Sequence, residues 1–344
     1  MIGQALFHLV WWPVQQFDKK GVKTMISGID RKRIFVFVAI AYGIHIAVLL
    51  AVFLEGGLGP DSTLAGLLGF MIVFAPALGN IATRLITREG WSNTFLRPNL
   101  RHGWRLYLAA CILPLVAIFL GGAIYFLLFP GKLDLSMGLA RETGKISATD
   151  TLATVMGREL LGGLVTVLYY TFLVWGEEFG WRAYLLPKLM PLGARKAVLL
   201  VGVVWGMWHW PMIYFMGFQY GSDYWGAPVS GFLLFVLIIL SPSVVYSWLT
   251  LRTGSVWPAC IAHAVHNTFC SLMLYFVRGE PNHLIGPEPE AIVGCLGYVL
   301  LALLILFSPR AFAQPVPAQT DAASSKNLGA AEQAAGRAKL GTAR

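Results

Sequence analysis

Apolar residues run along this chain in stretches long enough to cross about 30 Å of hydrocarbon. They fall near residues 34–54, 63–86, 105–129, 159–187, 196–215, 229–251, 255–277 and 291–309. A segment inside a bilayer must satisfy its own backbone hydrogen bonds, so each run predicts a helix. The expectation is an all-α, polytopic membrane protein with about eight transmembrane helices spanning 34–311. The fourth and seventh runs are interrupted by polar side chains. Most conspicuous is WGEEFGWR at 175–182, which follows the unbroken run LLGGLVTVLYYTFLV. An ionised side chain at such a depth costs about 2.5 to 3.5 kcal/mol on insertion scales, and here two glutamates stand side by side.

The segments outside the runs divide the chain further. Residues 1–33 carry Phe7, Trp11 and Trp12 and suit an interfacial or cytoplasmic segment lying on the membrane surface. They lack the basic start and small-residue cleavage site of a signal peptide. Residues 130–158 are the largest predicted outward loop, and 216–228 form a shorter, aromatic-rich one. Residues 312–344 are rich in Ala, Gln, Ser and Lys without apolar helical periodicity, and predict a disordered cytoplasmic tail.

Composition agrees with a bilayer location. Of 344 residues, 57% are apolar and 12% charged, about half the charge of an ordinary soluble domain. The four cysteines (Cys111, Cys260, Cys270 and Cys295) all lie in apolar runs and imply no disulfide framework. The net charge of +9 is explained by the placement of Lys and Arg, with no nucleic-acid partner implied. Counting helix-end residues with their nearest loop, 21 of the 26 basic residues fall on one side. Lys132, Arg141, Lys145, Arg158 and Arg278 fall on the other. This bias predicts a multi-pass protein of the cell membrane with both termini cytoplasmic.

Candidate chemistry comes from the polar residues that reach one depth. Glu177, His209 and His263 lie 10, 13 and 11 residues from the cytoplasmic flanks Pro187, Lys196 and Arg252. At about 1.5 Å per residue, all three stand roughly 15 to 20 Å from the inner surface. His263 and Asn267 are spaced i, i+4 and share a face, as do Glu178 and Arg182. Glu177 points about 100° away from Glu178. One glutamate is thus placed to pair with the arginine while its neighbour faces a cavity. Taken alone, Glu178 with Arg182 reads as a structural ion pair, and His266 as a hydrogen-bonded packing residue. Glu177, His209, His263 and Asn267 together read as a site.

The order EExxxR, aromatic-xxx-H and HxxxN on successive membrane helices resembles the CPBP family. That family comprises the type II CAAX prenyl endopeptidases and the bacteriocin-processing and immunity (Abi) proteins. Here the motifs are Glu177-Glu178-Phe179-Gly180-Trp181-Arg182, Trp205-Gly206-Met207-Trp208-His209 and His263-Ala264-Val265-His266-Asn267. The resemblance covers roughly 160–275, and one departure is Trp205, where the family commonly has Phe.

The resemblance implies an intramembrane endopeptidase with its catalytic cavity enclosed by the helices. Glu177 would be the general base, and His209 would hold and polarise the water. His263 and Asn267 would point donors at the oxyanion, with Glu178 and Arg182 orienting the base. The implied partner is a membrane-associated peptide or lipidated protein, with a CAAX-type prenylated C-terminus and a bacteriocin-like peptide fitting equally well. The residues leave a metalloprotease reading open, since Glu177, His209 and His263 would supply a His₂Glu set for Zn²⁺. The chain has no HExxH, and Asn267 is an unusual zinc ligand but a good oxyanion donor, so the metal-free glutamate mechanism is favoured. The rival functions are a non-catalytic scaffold or immunity-type protein of the same fold and a small-solute transporter. A transporter is expected to have broken helices in paired halves.

Overall fold

The computed structural model describes residues 30–54 and 63–312. Nearly all of the predicted N-terminal segment and C-terminal tail lie outside these residues. The described chain is helical and carries no strand beyond a single antiparallel bridge between Leu133 and Val277. We label the main helices α1 (Arg31–Leu54), α2 (Thr63–Ile86), α3 (Leu100–Leu128), α4 (Leu152–Leu173), α5 (Trp175–Gly180), α6 (Ala194–Trp208), α7 (Trp210–Met216), α8 (Val229–Thr253), α9 (Trp257–Phe269) and α10 (Leu296–Phe307).

Six helical stretches among the described residues are long and apolar enough to cross a membrane. They correspond to the first six predicted spans, with α4 and α5 continuing through short turns to Leu192 and α6 joined to α7. The last two predicted spans are shorter as helices, 13 residues in α9 and 12 in α10. After α9 the chain tightens into a 3₁₀ turn over Leu272–Phe276. The eighth run starts its helix five residues late because Ile292, Val293 and Gly294 donate back to the carbonyls of Leu284, Ile285 and Gly286. Residues 282–295 therefore form a folded-back segment that buries Glu288, Glu290, Ala291 and Val293.

Helix α1 packs along α2, α2 along α5, and α6 along α8, while α9 contacts both α3 and α4. The outward face of α4 displays Leu161, Leu164, Val165, Leu168 and Phe172, the apolar surface that lipid requires. Inside, Trp181, Trp205, Trp208, Trp248, Tyr184 and Tyr246 are fully buried, as is Arg182, which lies against Trp205 and Tyr246. The large predicted outward loop has its own order. Asp134 accepts from Ser136 and Gly138, whose hydroxyl and amide hold its carboxyl below the usual carboxylate range. Arg141 donates to the carbonyls of Ser136, Ser147, Ala148 and Asp150.

Candidate active site

The two glutamates sit on α5, a six-residue helix set off from α4 by a break at Val174. Glycines flank the pair, as Gly176-x-x-x-Gly180, and face α2. A Cβ on Gly176 would lie 2.7 Å from the Val73 carbonyl oxygen, and one on Gly180 would lie 2.4 Å from Pro76 Cβ. Small residues at this spacing let two membrane helices approach backbone to backbone. The contact is fixed by a buried polar bond, Asn80 Nδ2 donating to the Phe179 carbonyl at 2.8 Å. Asn80 in turn accepts from Arg84 Nε at 2.7 Å. Beyond Gly180 the helix widens to a π-turn over Trp181–Leu185, a geometry found often at functional sites.

Within this frame the adjacent glutamates have separate surroundings. Glu178 is 0% exposed, and its Oε1 accepts from Arg182 Nη1 at 3.0 Å and from His263 Nδ1 at 2.9 Å. Arg182 is also sealed, its guanidinium 4.3 Å from the Trp205 ring centre and 5.4 Å from that of Tyr246. Glu177 retains 7% exposure. Its Oε2 accepts from the Trp205 indole Nε1 at 2.7 Å, while Oε1 accepts no hydrogen bond among the described residues.

His209 stands at the interruption between α6 and α7. Pro211 explains the break, since it has no N–H for the Met207 carbonyl and its ring would clash there. His209 Nδ1 lies 2.9 Å from the Trp205 carbonyl oxygen. A carbonyl only accepts, so Nδ1 carries the proton and Nε2 of the neutral ring keeps its lone pair. His263, on α9, stacks on Tyr246 at 5.4 Å and meets Trp205 edge-on at 5.3 Å. Its Nδ1–H is held by the Glu178 carboxylate.

The structure therefore brings Glu177, Glu178, Arg182, His209 and His263 around Trp205. Asn267 follows His263 by one turn on the same face, is exposed, and makes no side-chain hydrogen bond among the described residues. His266 is turned elsewhere, with Nε2 2.5 Å from Glu290 Oε1 and Nδ1 3.0 Å from the Tyr298 hydroxyl. It packs and bonds as a satisfied buried histidine.

Two participants were not anticipated. Trp205 enters the sequence reading only as an aromatic ring, and its N–H turns out to hold Glu177. His45 of α1 is fully buried, 4.3 Å from the Trp208 ring. Its sequence signal was an ionisable side chain within an apolar run.

The zinc alternative can be tested against these donors. Among the described residues no three His, Cys, Asp or Glu side chains stand as a metal-holding group. His263 Nδ1 is turned to Glu178 and Glu177 Oε2 to Trp205. As arranged here, Glu177, His209 and His263 are not gathered as a metal-holding group, although those bonds leave Glu177 Oε1 and the Nε2 atoms of both histidines without a hydrogen bond among the described residues.

Fold and cluster together define a polytopic helical membrane protein with a buried carboxylate–histidine–arginine site. Residues 160–269, which hold all three motifs, match the family described as type II CAAX prenyl endopeptidase Rce1-like. The chain is also similar to CAAX prenyl protease 2 of Methanococcus maripaludis, 29% identical over 147 residues. That alignment covers 42% of this chain and 53% of the relative, so the chain spans about half the length of the curated relative it matches. Both comparisons bear out the CPBP resemblance, the family match on the motif region itself.

Proposed function

We propose that the protein is an intramembrane endopeptidase acting on a membrane-associated substrate with a CAAX-type prenylated C-terminus. The observation that carries this reading is the separation of the adjacent glutamates. Glu178 is closed off with Arg182 and His263, whereas Glu177 keeps one unbonded oxygen. The match to a CAAX prenyl endopeptidase family supports the choice of substrate class.

In this mechanism Glu177 Oε1 takes a proton from a water that also donates to the Nε2 lone pair of His209. The resulting hydroxide attacks the scissile carbonyl carbon, and the carbonyl π electrons move to oxygen. His263, anchored through Nδ1–H on the Glu178 carboxylate, donates Nε2–H to that oxyanion when its ring carries both protons. Asn267 Nδ2, one turn along α9, supplies the second donor once substrate is seated. Collapse of the tetrahedral intermediate breaks the C–N bond, and Glu177 returns its proton to the leaving amine. Arg182 balances the Glu178 charge and stays out of the proton transfers. No step passes through a metal ion.

The test is cleavage of a farnesylated CAAX reporter peptide by purified protein in detergent and in proteoliposomes. Turnover is expected, and is expected to survive a chelator with less than stoichiometric zinc by elemental analysis. Absence of cleavage favours the scaffold reading, and solute flux in the same proteoliposomes favours a transporter. Activity lost on chelation and restored only by Zn²⁺ would overturn the metal-free route.

The same reading places the site within reach of the cytoplasm, with both termini inside. Cysteines introduced at Lys145 and Ser325, with the four native cysteines replaced, should label from opposite sides of the membrane. Labelling of both from one side would refute this orientation.

A further inference from the structure

The buried cluster has one residue that touches four of its members, Glu177, Arg182, His209 and His263. Trp205 donates its indole N–H to Glu177 Oε2, and its own carbonyl accepts from His209 Nδ1. Its ring carries the Arg182 guanidinium on one side at 4.3 Å and meets His263 at 5.3 Å. It is 2% exposed, so none of these contacts is shared with solvent. A phenylalanine here keeps an aromatic face and the backbone bond to His209. It loses the N–H together with the second ring of the indole, which is why thermal stability must be measured beside activity.

We infer that Trp205 is a positioning residue, whose indole N–H fixes the carboxylate of the catalytic base. A glutamate side chain has three rotatable bonds, and a carboxylate free to turn spends little time with one oxygen on the attacking water. Engaging Oε2 leaves Oε1 as the proton-accepting atom in one orientation. A charge-assisted hydrogen bond in a buried site is strong enough to hold that geometry. The Trp205 carbonyl aligns His209 through the adjacent bond, so base and water-holding histidine are set by one residue. This chain thereby takes a hydrogen-bonding route to base alignment that a phenylalanine at the same position cannot use. The inference rests on the endopeptidase reading.

The experiment compares wild type, Trp205→Phe and Glu177→Gln on the farnesylated reporter, with kcat, KM and thermal midpoint measured for each. Trp205→Phe should lower kcat roughly 10- to 100-fold, the loss expected of one hydrogen bond to a charged group. KM should stay within about twofold, because the contact is made to the base and not to substrate. A second measurement reads the bond itself. In ¹⁵N-indole NMR spectra of the full chain, the resonance missing from Trp205→Phe should move in Glu177→Gln, whose amide oxygen keeps the contact but not the charge.

Wild-type kcat in Trp205→Phe would overturn the inference while leaving the endopeptidase reading intact. So would an indole spectrum indifferent to Glu177→Gln, or a Trp205→Phe loss lying wholly in thermal stability. Wild-type protein that fails to cleave the reporter overturns the endopeptidase reading, and the positioning role falls with it.

Discussion

Glu177→Gln should lower turnover of the farnesylated reporter by about 10² to 10⁴ while leaving the protein folded. The amide has the size of the carboxylate and still presents an oxygen to the Trp205 indole, so the 2.7 Å contact can persist. What it lacks is a group able to take the proton from water. A loss of that size corresponds to about 3 to 5 kcal/mol of transition-state stabilisation. Folding should be spared, because a neutral amide is cheaper to bury than a carboxylate. Parallel measurement of detergent thermal midpoint and kcat separates the two effects. A fully active Glu177→Gln protein would remove Glu177 from the role of base.

The long helices were legible because the bilayer makes backbone satisfaction and apolar length the same requirement. That logic weakens at the C-terminal end. Apolar content near 291–295 is as high as in the spans, yet those residues hydrogen-bond back to Leu284, Ile285 and Gly286 and leave α10 short. Burial against protein and burial in lipid ask for the same side chains, and hydropathy does not separate them. Within the site, helical geometry alone supplied the Glu178–Arg182 pair, since i, i+4 neighbours share a face; it is formed at 3.0 Å.

The partner of His263 was not legible. The helix that carries it and the helix that carries Glu178 are 85 residues apart in sequence, and depth counting gives level but not rotation. The same limit hid Trp205. A residue class such as "aromatic" describes ring packing, whereas its role depends on where one N–H points. The GxxxG spacing at Gly176 and Gly180 was visible in the letters. Its meaning required α2 to be known as the opposing surface.

Glu178→Gln should fail in the opposite way from its neighbour, through stability first. Arg182 is fully buried and its guanidinium has Glu178 as its carboxylate partner. Removing one member of a buried pair leaves the other charge uncompensated, at a cost of about 3 to 5 kcal/mol. The Trp205 and Tyr246 rings soften that cost without replacing the countercharge. The glutamine oxygen can still accept a hydrogen bond, but it carries no charge to balance Arg182. Adding Arg182→Met should therefore recover much of the lost thermal midpoint, because a buried ion pair replaced by apolar groups is often neutral in stability. Turnover should not recover with it, since His263 in the double variant still lacks the carboxylate that holds Nδ1–H. Thermal midpoint and kcat, measured on Glu178→Gln and on Glu178→Gln with Arg182→Met, give four numbers that the two roles predict separately. Recovery of both quantities together would show that Glu178 serves the fold alone. A stable, fully active Glu178→Gln single variant would remove both roles at once.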